Sequence, residues 1–403
     1  MLMKKKVVIV GGGFAGTNVL KRLMKYDAFE VTLVDKNNYN YFTPLIYQVA
    51  TGFIEPSSIS YPFRSLISGQ KNAHFWLGTL KKILPEEQKI ILSNGELEYD
   101  KLILCTGTRT NYFGIENIRK YAIPMNSLND ALNMRNVLLQ RIEKATRAQT
   151  AVEKEEWLTM VIAGGGPTGV EVSGMFAELR KQVILEEYPE LKEVKAKIYL
   201  VNSGDHLLKS MSEKSQKFVY KKLSSTYVDV LLNKRVKDFN GREVLLNDGS
   251  SIKSRNLIWA TGVKGRVFEG LPEDWYEAGN RLWVNEYHKL QKADHIYAIG
   301  DGSIMFSDKN FPEGHPRLAQ VAIQQGRNLA KNLIAVEKGN TPKAFQYKDK
   351  GAMAVIGKSN AVADLPNKIH FQGFVALMIW GFIHLFSLIG RTDRIRTFFN
   401  WSV

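Results

Sequence analysis

The sequence predicts an α/β protein with two Rossmann-like dinucleotide-binding domains, followed by a C-terminal helical segment that associates with a membrane. Two observations predict the domains: an apolar run enters a Gly-x-Gly-x-x-Gly pattern at residues 7–16, and the same pattern returns at residues 158–171. A third observation predicts the last segment, since residues 373–390 are almost entirely apolar and arginines follow them. The 403 residues are enough for two or three domains with substantial cores.

Composition and charge restrict the class of protein. With 44% hydrophobic and 24% charged residues, the chain has the composition of a globular protein. A formal net charge of +15 favours an acidic partner, which can be a nucleic acid, a membrane surface or an anionic ligand. The chain has no zinc-finger spacing, RNA-binding aromatic signature or dense basic helix, so no nucleic-acid partner is expected.

Cys105 is the only cysteine of the chain. A single cysteine excludes an internal disulfide, a redox-active cysteine pair and a multi-cysteine metal site, and it fits a reducing compartment. The apolar run Val7–Val10 after the N-terminal lysines is too short for a secretion signal. No metal site is predicted.

The first glycine pattern is predicted to turn a buried strand into a helix at Phe14–Lys25. Gly11 would make the tight turn, Gly13 would let the backbone approach a pyrophosphate, and Gly16 would let the helix pack closely on the strand. The N–H groups and the positive dipole end of the helix would then face the phosphates. The alternative is that these glycines make an ordinary tight turn.

The next predicted strand weakens that alternative. Glu30–Asp35 ends on an acid roughly 20 residues beyond the glycines, where the 2′-hydroxyl of a ribose is bound in such folds. Residues 37–60 then carry too many aromatic residues for a disordered linker, and we expect an ordered excursion over a ligand. A hairpin follows and feeds the strand Tyr99–Leu104, which ends in the small residues Cys105–Thr108.

The second half of the chain repeats this order. Gly164 stands 153 positions after Gly11, and Gly166 and Gly169 complete the second pattern. The following strand, Lys197–Asn202, ends on an amide instead of an acid, and a later strand ends in Ala260–Gly262, an echo of Cys105-Thr106-Gly107. This duplication predicts two nucleotide sites, one in each domain.

Helices and a third distinctive strand complete the expected pattern. The predicted helices are Asn126–Arg147 with Ser127 as a cap, Val170–Leu185 and Arg317–Ile334, and a polar stretch is expected at Thr150–Glu156. The strand His295–Ile299 stops at Gly300-Asp301-Gly302.

The apolar segment Gly373–Gly390 leaves three roles open. Its 18 residues are just short of the roughly 20 that span a bilayer. The residues that follow favour a membrane interface: the arginines Arg391, Arg394 and Arg396, and the aromatics Phe398, Phe399 and Trp401. It can span a membrane, lie in the interface or be buried in the core, and we expect it to lie in the interface.

Together these features resemble the flavoprotein disulfide reductase superfamily with two dinucleotide domains, and within it the type II NADH dehydrogenases, which are single-subunit NADH:quinone oxidoreductases that pump no protons. The resemblance covers essentially the whole chain. It is carried by Thr43–Gly52, Gly164–Glu171, Ala319–Gly326 and the pattern Trp380…His384…Gly390-Arg391…Asn400-Trp401. The Ala-Gln-x-x-x-Gln block is its most specific part.

The resemblance implies FAD at the first glycine pattern and NADH at the second. The residues implied around FAD are Gly11, Gly13, Phe14, Ala15, Gly16, Asp35, Lys36, Thr43, Pro44, Thr106, Gly107, Gly300, Asp301 and Gln320. Those implied around NADH are Gly164, Gly166, Gly169, Glu171, Asn202, Thr261 and Gly262.

Catalytic roles are implied for Glu171, Gln320 and Gln324. Glu171 would face the nicotinamide and the flavin; alternatively, it only complements the helix dipole. Gln320 and Gln324 are one helical turn apart, so both amides can address a quinone headgroup beside the flavin, or they can form hydrogen bonds within the protein. His384 is interpreted as a packing or interface residue. Asn202 departs from the family's usual acid and does not repel a 2′-phosphate, so use of NADPH is not excluded.

The implied enzyme transfers a hydride from NADH to FAD and then two electrons to a membrane quinone. Its partners would be NADH, quinone, an anionic membrane surface and a second copy of the chain, and it would lie peripherally on the cytoplasmic face of the inner (plasma) membrane. Rival enzymes that use cysteine pairs are excluded by Cys105. A flavoprotein reductase with another acceptor and a non-enzymatic nucleotide sensor stay open.

The expected domains follow the chain in order. They are an FAD-binding part at 1–120, a connecting helix and linker at 121–157, an NADH-binding domain at 158–275, a second FAD-binding part at 276–345, and a hairpin with the apolar segment at 346–403.

Overall fold

The computed structural model describes residues 4–402, and the contacts divide the chain into two compact units. The first unit comprises the described part of Met1–Tyr41, with Ser60–Arg109 and Val263–Asp349. The second comprises Phe42–Ile59, Thr110–Gly262 and Lys350–Val403, described as far as residue 402.

The strands are, in chain order, β1 (Lys5–Val10), β2 (Phe29–Asp35), β3 (Tyr39–Tyr41), β4 (Ser60–Pro62), β5 (Ala73–Leu77), β6 (Leu80–Leu84), β7 (Lys89–Leu92), β8 (Gly95–Glu98), β9 (Lys101–Leu104), β10 (Arg109–Thr110), β11 (Ile123–Pro124), β12 (Met160–Ala163), β13 (Ile198–Val201), β14 (Val228–Leu231), β15 (Val236–Phe239), β16 (Glu243–Leu246), β17 (Ser251–Lys253), β18 (Asn256–Trp259), β19 (Val263–Lys264), β20 (Tyr276–Glu277), β21 (Arg281–Trp283), β22 (Ile296–Ala298), β23 (Ser303–Ile304), β24 (Ala352–Ile356), β25 (Asn360–Leu365) and β26 (Ile369–Gln372). The α-helices are α1 (Phe14–Leu23), α2 (Ile46–Ala50), α3 (Phe63–Leu66), α4 (Glu116–Tyr121), α5 (Leu128–Arg147), α6 (Ala151–Leu158), α7 (Pro167–Leu179), α8 (Leu185–Glu187), α9 (Glu213–Ser224), α10 (Ala319–Glu337), α11 (Gly373–Ser387) and α12 (Arg391–Ser402).

The first unit is built on a parallel sheet with the strand order β22-β9-β1-β2-β5. Val7 of β1 pairs with Val31 on one side and Lys101 on the other, so β1 lies between β2 and β9. Val7 and Ile9 are fully buried, as expected for a parallel strand covered on both faces. Because the chain leaves β1 toward one neighbour and returns later on the other side, the carboxyl end of β1 is the switch point where such sheets bind ligands.

Helices α1 and α10 pack together within this unit. Gly326 of α10 lies against α1 so closely that an added Cβ would come within 2.6 Å of the Ala15 carbonyl oxygen. Ala322 and Leu329 of α10 belong to the same buried cluster as Val19 of α1. The packing holds the start of α10 near the first glycine pattern.

The second unit repeats the arrangement with the order β11-β18-β12-β13-β14, again all parallel. Met160 of β12 pairs with Ile198 on one side and Asn256 on the other. The predicted α/β class with two Rossmann-like units is therefore confirmed. The expected duplication extends to the order of the central strands.

The helices that precede this sheet show one correct and one wrong expectation. Ser127 caps α5 and forms a reciprocal capping box with Asp130, as its position before the apolar periodicity indicated. The polar stretch expected at Thr150–Glu156 is instead the start of α6, which Thr150 caps by accepting from the N–H of Glu153. A short helix of low amphipathicity gives no apolar periodicity, so its cap was the only signal.

The C-terminal part of the second unit forms the antiparallel sheet β24-β25-β26 and the helices α11 and α12. Large apolar side chains of these two helices face solvent; Phe374, Phe382 and Phe399 each expose more than 60% of their surface. Within residues 4–402, no helix has both the length and the apolar character needed to cross a membrane.

Candidate functional site

Each glycine of the first pattern has a different role in the backbone. Gly11 has φ +104°, a left-handed conformation, and a side chain there would collide with the carbonyl of Cys105. A side chain on Gly16 would collide with the carbonyl of Gly11. At Gly13, by contrast, an added Cβ would meet no atom within 4 Å. Two glycines thus allow close packing, while the third borders open space at the start of α1, where Phe14 and Ala15 begin the helix.

Asp35, the last residue of β2, is bonded to this turn. One carboxylate oxygen of Asp35 accepts from the N–H of Gly12 at 2.7 Å, and the other accepts from the N–H of Asn37 at 2.8 Å. Burial raises the pKa of Asp35 from its ordinary value even though these donors act against it. Lys36 is exposed beside it. Asp35 therefore braces the glycine turn through its carboxylate.

The turn after β9 meets the turn after β22. A Cβ added to Gly302 would lie 3.3 Å from the carbonyl oxygen of Gly107 and 3.9 Å from Oγ1 of Thr106. Gly300 has φ +76°, and a Cβ there would lie 3.4 Å from the Cβ of Ala15. The structure thus brings Thr106, Gly107 and the Gly300–Gly302 turn together at the end of β1.

Asp301, in that turn, faces two guanidinium groups. Burial raises the pKa of Asp301, while Arg317 and Arg281 act in the opposite direction. Arg281 is itself held by the carbonyls of Ser303 and His315, at 2.7 and 3.0 Å. Buried Arg317 Nε has no hydrogen-bond partner among the described residues. The turn positions the Asp301 carboxylate, and the positive charges of Arg317 and Arg281 stabilise it there.

Gln325 was not predicted as a site residue, although it fixes this turn. Its Oε1 accepts from the N–H of Gly300 at 2.7 Å, and only 3% of the residue is exposed. It lies on the buried stripe of α10, one turn after Val321 and one turn before Leu329. A glutamine on an otherwise apolar stripe needs a partner, and that position was the signal in the sequence.

The second glycine pattern matches the first. Gly164 has φ +120°, and a Cβ there would lie 2.8 Å from the carbonyl oxygen of Ala260. A side chain on Gly169 would collide with Gly164, and at Gly166 an added Cβ would again meet no atom within 4 Å. Thr261 also lies beside Gly164, because the Cβ of Thr261 is 3.0 Å from the position that a Cβ added to Gly164 would take.

The aromatic ring of Phe113 packs over the turn that follows β18. Gly262 has φ +70°, and the ring of Phe113 occupies the place where its side chain would be, 2.6 Å from an added Cβ. Phe113 itself has φ +52° and is 60% exposed. The N–H of Phe113 donates to the side chain of Asn111 at 3.0 Å, which supports this turn. Phe113 was not predicted as a site residue.

Asn202 braces its own glycine turn as Asp35 does in the first unit. Its Oδ1 accepts from the N–H of Gly165 at 3.1 Å. Its Nδ2 donates to the carbonyls of Gly204 and His206 at 3.2 and 2.8 Å. An amide can satisfy one donor and two acceptors at once, whereas a carboxylate would face two carbonyl oxygens.

Glu171 lies half-buried in the second turn of α7. Burial raises the pKa of Glu171 to about 8, although the backbone N–H of Val355 donates to it. Burial and the charge of Glu171 in turn raise the pKa of Tyr47 well above its ordinary value. Glu171 is thus poised to hold a proton at neutral pH.

Thr43 and Pro44 form a single 3₁₀ turn that leads into α2. They lie in the segment Phe42–Ile59, which belongs to the second unit by its contacts. The excursion expected after Asp35 is therefore ordered and contains short helices.

Gln320 and Gln324 both lie in the first turns of α10, in the first unit. Gln324 uses both ends of its amide on one residue: its Nε2 donates to the Lys348 carbonyl at 2.8 Å and its Oε1 accepts from the Lys348 N–H at 3.1 Å. In this arrangement Gln324 holds the segment before β24.

His384 is half-buried on α11. Its Nδ1 bonds the carbonyl of Trp380 at 2.8 Å, and its ring stacks on that indole with centroids 4.4 Å apart. Burial lowers the pKa of His384 to about 4, so the ring is neutral at physiological pH. This is the packing role expected for it.

Comparisons with known proteins identify the family. Residues 5–326 match the model of the pyridine nucleotide-disulphide oxidoreductases, and residues 350–403 match that of the NDH2 C-terminal domain. The type II NADH:quinone oxidoreductase Ndh of Mycobacterium tuberculosis is 31% identical over 415 residues, which cover 99% of this chain and 88% of that protein. The chain belongs to the type II NADH:quinone oxidoreductases.

More distant relatives agree with this assignment. The mitochondrial internal alternative NAD(P)H-ubiquinone oxidoreductase A1 of Arabidopsis thaliana is 26% identical, covering 99% of this chain and 83% of that protein. The structure of NDH2 from Plasmodium falciparum in complex with NADH superposes with a TM-score of 0.91 at 22% identity, covering 99% and 98% of the two chains. That structural likeness concerns the fold.

The residues of this type II NADH:quinone oxidoreductase fit two dinucleotides. No side chain forms an N-terminal cap hydrogen bond at α1 or α7, and a glycine holds the N-cap position of each helix. The open space at Gly13 and Gly166 lies at these same helix starts. A glycine N-cap without a capping side chain and with open space around it suits a bound pyrophosphate, and both units have this arrangement.

Proposed function

We propose that the chain binds FAD at the glycine turn of the first unit and NADH at that of the second, and that it reduces a quinone with the electrons of NADH. The observation that carries the proposal is the duplicated turn with an uncapped helix start and open space in each unit. The chemistry that FAD supplies when bound is the acceptance of a hydride and its delivery as two electrons.

The first unit would hold FAD through backbone and carboxylate groups. The N–H groups at the start of α1 would bind the pyrophosphate, with Gly13 giving the room for it. Asp35 would bind the ribose of the adenosine half, and Asp301 the ribityl hydroxyls. Gln325 would keep the Asp301 turn in place by holding the Gly300 N–H.

In the second unit, the strand order supports assigning the two halves of NADH to different residues. Asn202 follows β13 and would meet the adenosine ribose, whereas Thr261 and Gly262 follow β18, on the other side of β12, and would meet the nicotinamide half. Glu171, on the helix after β12, would orient the nicotinamide. Because its pKa is about 8, Glu171 would also hold one of the two protons that quinone reduction consumes.

Gln320 is the residue we propose to bind the quinone headgroup. Its amide can donate to a quinone carbonyl and accept from a quinol hydroxyl. Gln324 would act indirectly, since its amide holds the backbone of Lys348. Thr43 and Pro44 would line the isoalloxazine.

We further propose that the protein attaches peripherally to a membrane on its cytoplasmic face. The exposed apolar side chains of α11 and α12, among them Phe374, Phe382 and Phe399, would enter the interface. Arg391 and Arg396, both exposed on α12, would meet anionic headgroups, each adding about 1 kcal/mol. Such attachment would let quinone reach the protein from the lipid.

The test is quinone-dependent oxidation of NADH by the FAD-loaded protein. We expect Gln320→Ala to lose most of the quinone-dependent turnover while NADH still reduces the flavin. Gln149→Ala, at an exposed position, is the matched control and should behave as the native protein. If Gln320→Ala reduced quinone normally, the assignment of Gln320 would be wrong.

A further inference from the structure

Phe113, in the second unit, combines two features that are each unfavourable in a folded protein. The residue is 60% exposed, and its backbone has φ +52°. A large aromatic residue rarely adopts such a left-handed conformation, and residues that do are concentrated at active sites and ligand-binding sites. Leu208, the other apolar non-glycine residue with a positive φ between residues 4 and 402, is only 1% exposed, so packing explains its position. The exposed ring of Phe113 has no such explanation.

The turn that presents this ring is fixed by hydrogen bonds. The N–H of Phe113 donates to Oδ1 of Asn111 at 3.0 Å. The backbone of Asn111 is itself held at the end of β18, since its N–H donates to the carbonyl of Gly262 at 3.0 Å and its carbonyl accepts from Nε1 of Trp259 at 3.0 Å. Phe113 is therefore displayed from a turn that is bonded to the end of this strand.

The ring contacts the end of β18 directly. Its Cε2 and Cζ atoms lie 2.6 Å from the position that a Cβ added to Gly262 would take. The ring also meets the indole of Trp259 edge-on, with the ring centroids 6.4 Å apart. Only a glycine at position 262 leaves room for the ring at this place.

The turn under the ring reaches the second glycine pattern. Thr261, the residue before Gly262, contacts Gly164 of that pattern. Strands β12 and β18 are neighbours in the sheet, and a dinucleotide binds in the crevice outside the carboxyl ends of such strands. Phe113 thus touches the turn at which the nicotinamide half of NADH is proposed to lie.

Core packing uses the neighbouring side chain instead of Phe113. Tyr112 packs against the buried cluster that contains Phe239 and Trp259, and its ring stacks on the indole with centroids 6.4 Å apart. The residue before Phe113 thus completes the core. The Phe113 ring is left to face outward beside Gly262.

We propose that the exposed ring of Phe113 contacts the nicotinamide half of NADH and fixes the position of the nicotinamide ring. This rests on the proposed NADH site of the second unit. Phe113 would then be a substrate-binding residue that distinguishes nicotinamide nucleotides from nucleotides that have only the adenosine half and the phosphates.

The physical reason is that nicotinamide is a planar ring with apolar faces. Two planar rings in contact gain more free energy than the burial of apolar area alone provides. Phe113→Gly removes the ring, and glycine adopts φ +52° without strain, so this variant tests the ring and not the backbone. Phe113→Tyr keeps the ring and should keep the contact.

The experiment is a calorimetric titration of the FAD-loaded protein with NAD⁺ and with ADP-ribose. NAD⁺ has the nicotinamide but cannot reduce the flavin, and ADP-ribose has the same adenosine, phosphates and second ribose without the nicotinamide. We expect Phe113→Gly to weaken the binding of NAD⁺ about tenfold and to leave that of ADP-ribose unchanged, whereas Phe113→Tyr should bind both as the native protein does. The NADH concentration that half-saturates flavin reduction should rise by the same factor in Phe113→Gly.

Tyr220→Ala is the control, since Tyr220 is another aromatic residue of the second unit, 43% exposed on α9, and it should leave both affinities unchanged. An equal loss for the two ligands in Phe113→Gly, or an undiminished affinity for NAD⁺, overturns the proposal. Phe113→Leu, which keeps an apolar side chain but no planar ring, decides the matter in the same way if Phe113→Gly does not fold. If the native protein bound neither ligand, the proposed NADH site itself would be wrong. Native binding of both, with no selective loss in the variant, would overturn only the Phe113 contact.

Discussion

At the scale of single residues, the two units brace their glycine turns with different side chains. Asp35 and Asn202 both accept from the N–H of the middle glycine of their turn. Only Asn202 also donates to two carbonyls of the following loop. Local hydrogen bonding therefore explains why residue 202 is an amide. Because an amide is uncharged, it would not repel the 2′-phosphate of NADPH.

Replacing Asn202 by aspartate should make the enzyme discriminate against NADPH. A carboxylate there would repel a 2′-phosphate, and we expect flavin reduction by NADPH to slow about tenfold relative to NADH. The variant should also lose about 1–3 kcal/mol of stability, because the new carboxylate faces two carbonyl oxygens. Stopped-flow reduction with each nucleotide and urea unfolding measure the two effects. Asn202→Ser, which adds no charge, should leave the NADPH-to-NADH ratio unchanged; a shifted ratio there would contradict the argument.

Gln325→Leu should weaken the turn that carries Asp301. The change leaves the buried N–H of Gly300 without its acceptor and should cost about 1–3 kcal/mol in the free energy of unfolding. FAD should also dissociate more readily, which the fluorescence of released flavin reports. Gln149→Leu controls for the loss of an amide at an exposed site. Native FAD retention in Gln325→Leu would show that the turn does not depend on this bond.

Glu171 should make the protein less stable as the pH rises. Its pKa in the folded protein is about 8, above the ordinary 4.5, so the folded state binds more protons than the unfolded state between these values. The contribution of Glu171 to the free energy of unfolding is therefore fully present below a pH of about 4.5 and is lost as the pH rises through about 8. Glu171→Gln removes the titration, so its stability advantage over the native protein should grow across this window in urea unfolding. A constant difference would mean that burial does not shift this carboxyl.

At the scale of elements, α11 and α12 expose apolar surface that a water-soluble fold would normally cover. Phe382→Glu, at a residue 65% exposed, should weaken binding to anionic vesicles about ten- to hundredfold, the loss expected for one buried aromatic side chain. Leu139→Glu is the matched control, since Leu139 is 46% exposed on α5, away from these helices along the chain. Vesicle flotation at low salt measures both. Equal binding by the two variants would place the membrane contact elsewhere.

At the scale of the whole molecule, the features predicted from sequence were those encoded by short local patterns. The strand-glycine-helix order appears twice in the sequence and twice in the structure because close packing at Gly11 and Gly164 excludes any side chain. The cap at Ser127 was visible for the same local reason.

The remaining features depend on partners that are distant in sequence. Gln325 holds a glycine 25 positions away, and Trp401 reaches Gln48 across 353 positions. Of the three glutamines in one block, the sequence drew attention to Gln320 and Gln324, but only the tertiary structure shows that Gln325 is the one facing Gly300. Helix α6 was missed because its eight residues have no strong apolar face.

The central claim is that one chain carries electrons from NADH to quinone through FAD. Anaerobic double mixing of the FAD-loaded protein, first with NADH and then with a soluble quinone, tests it directly by following the flavin absorbance. The account predicts that NADH bleaches the flavin and that quinone restores its absorbance within the turnover time. A flavin that NADH does not bleach, or that stays bleached when quinone is added, would contradict it.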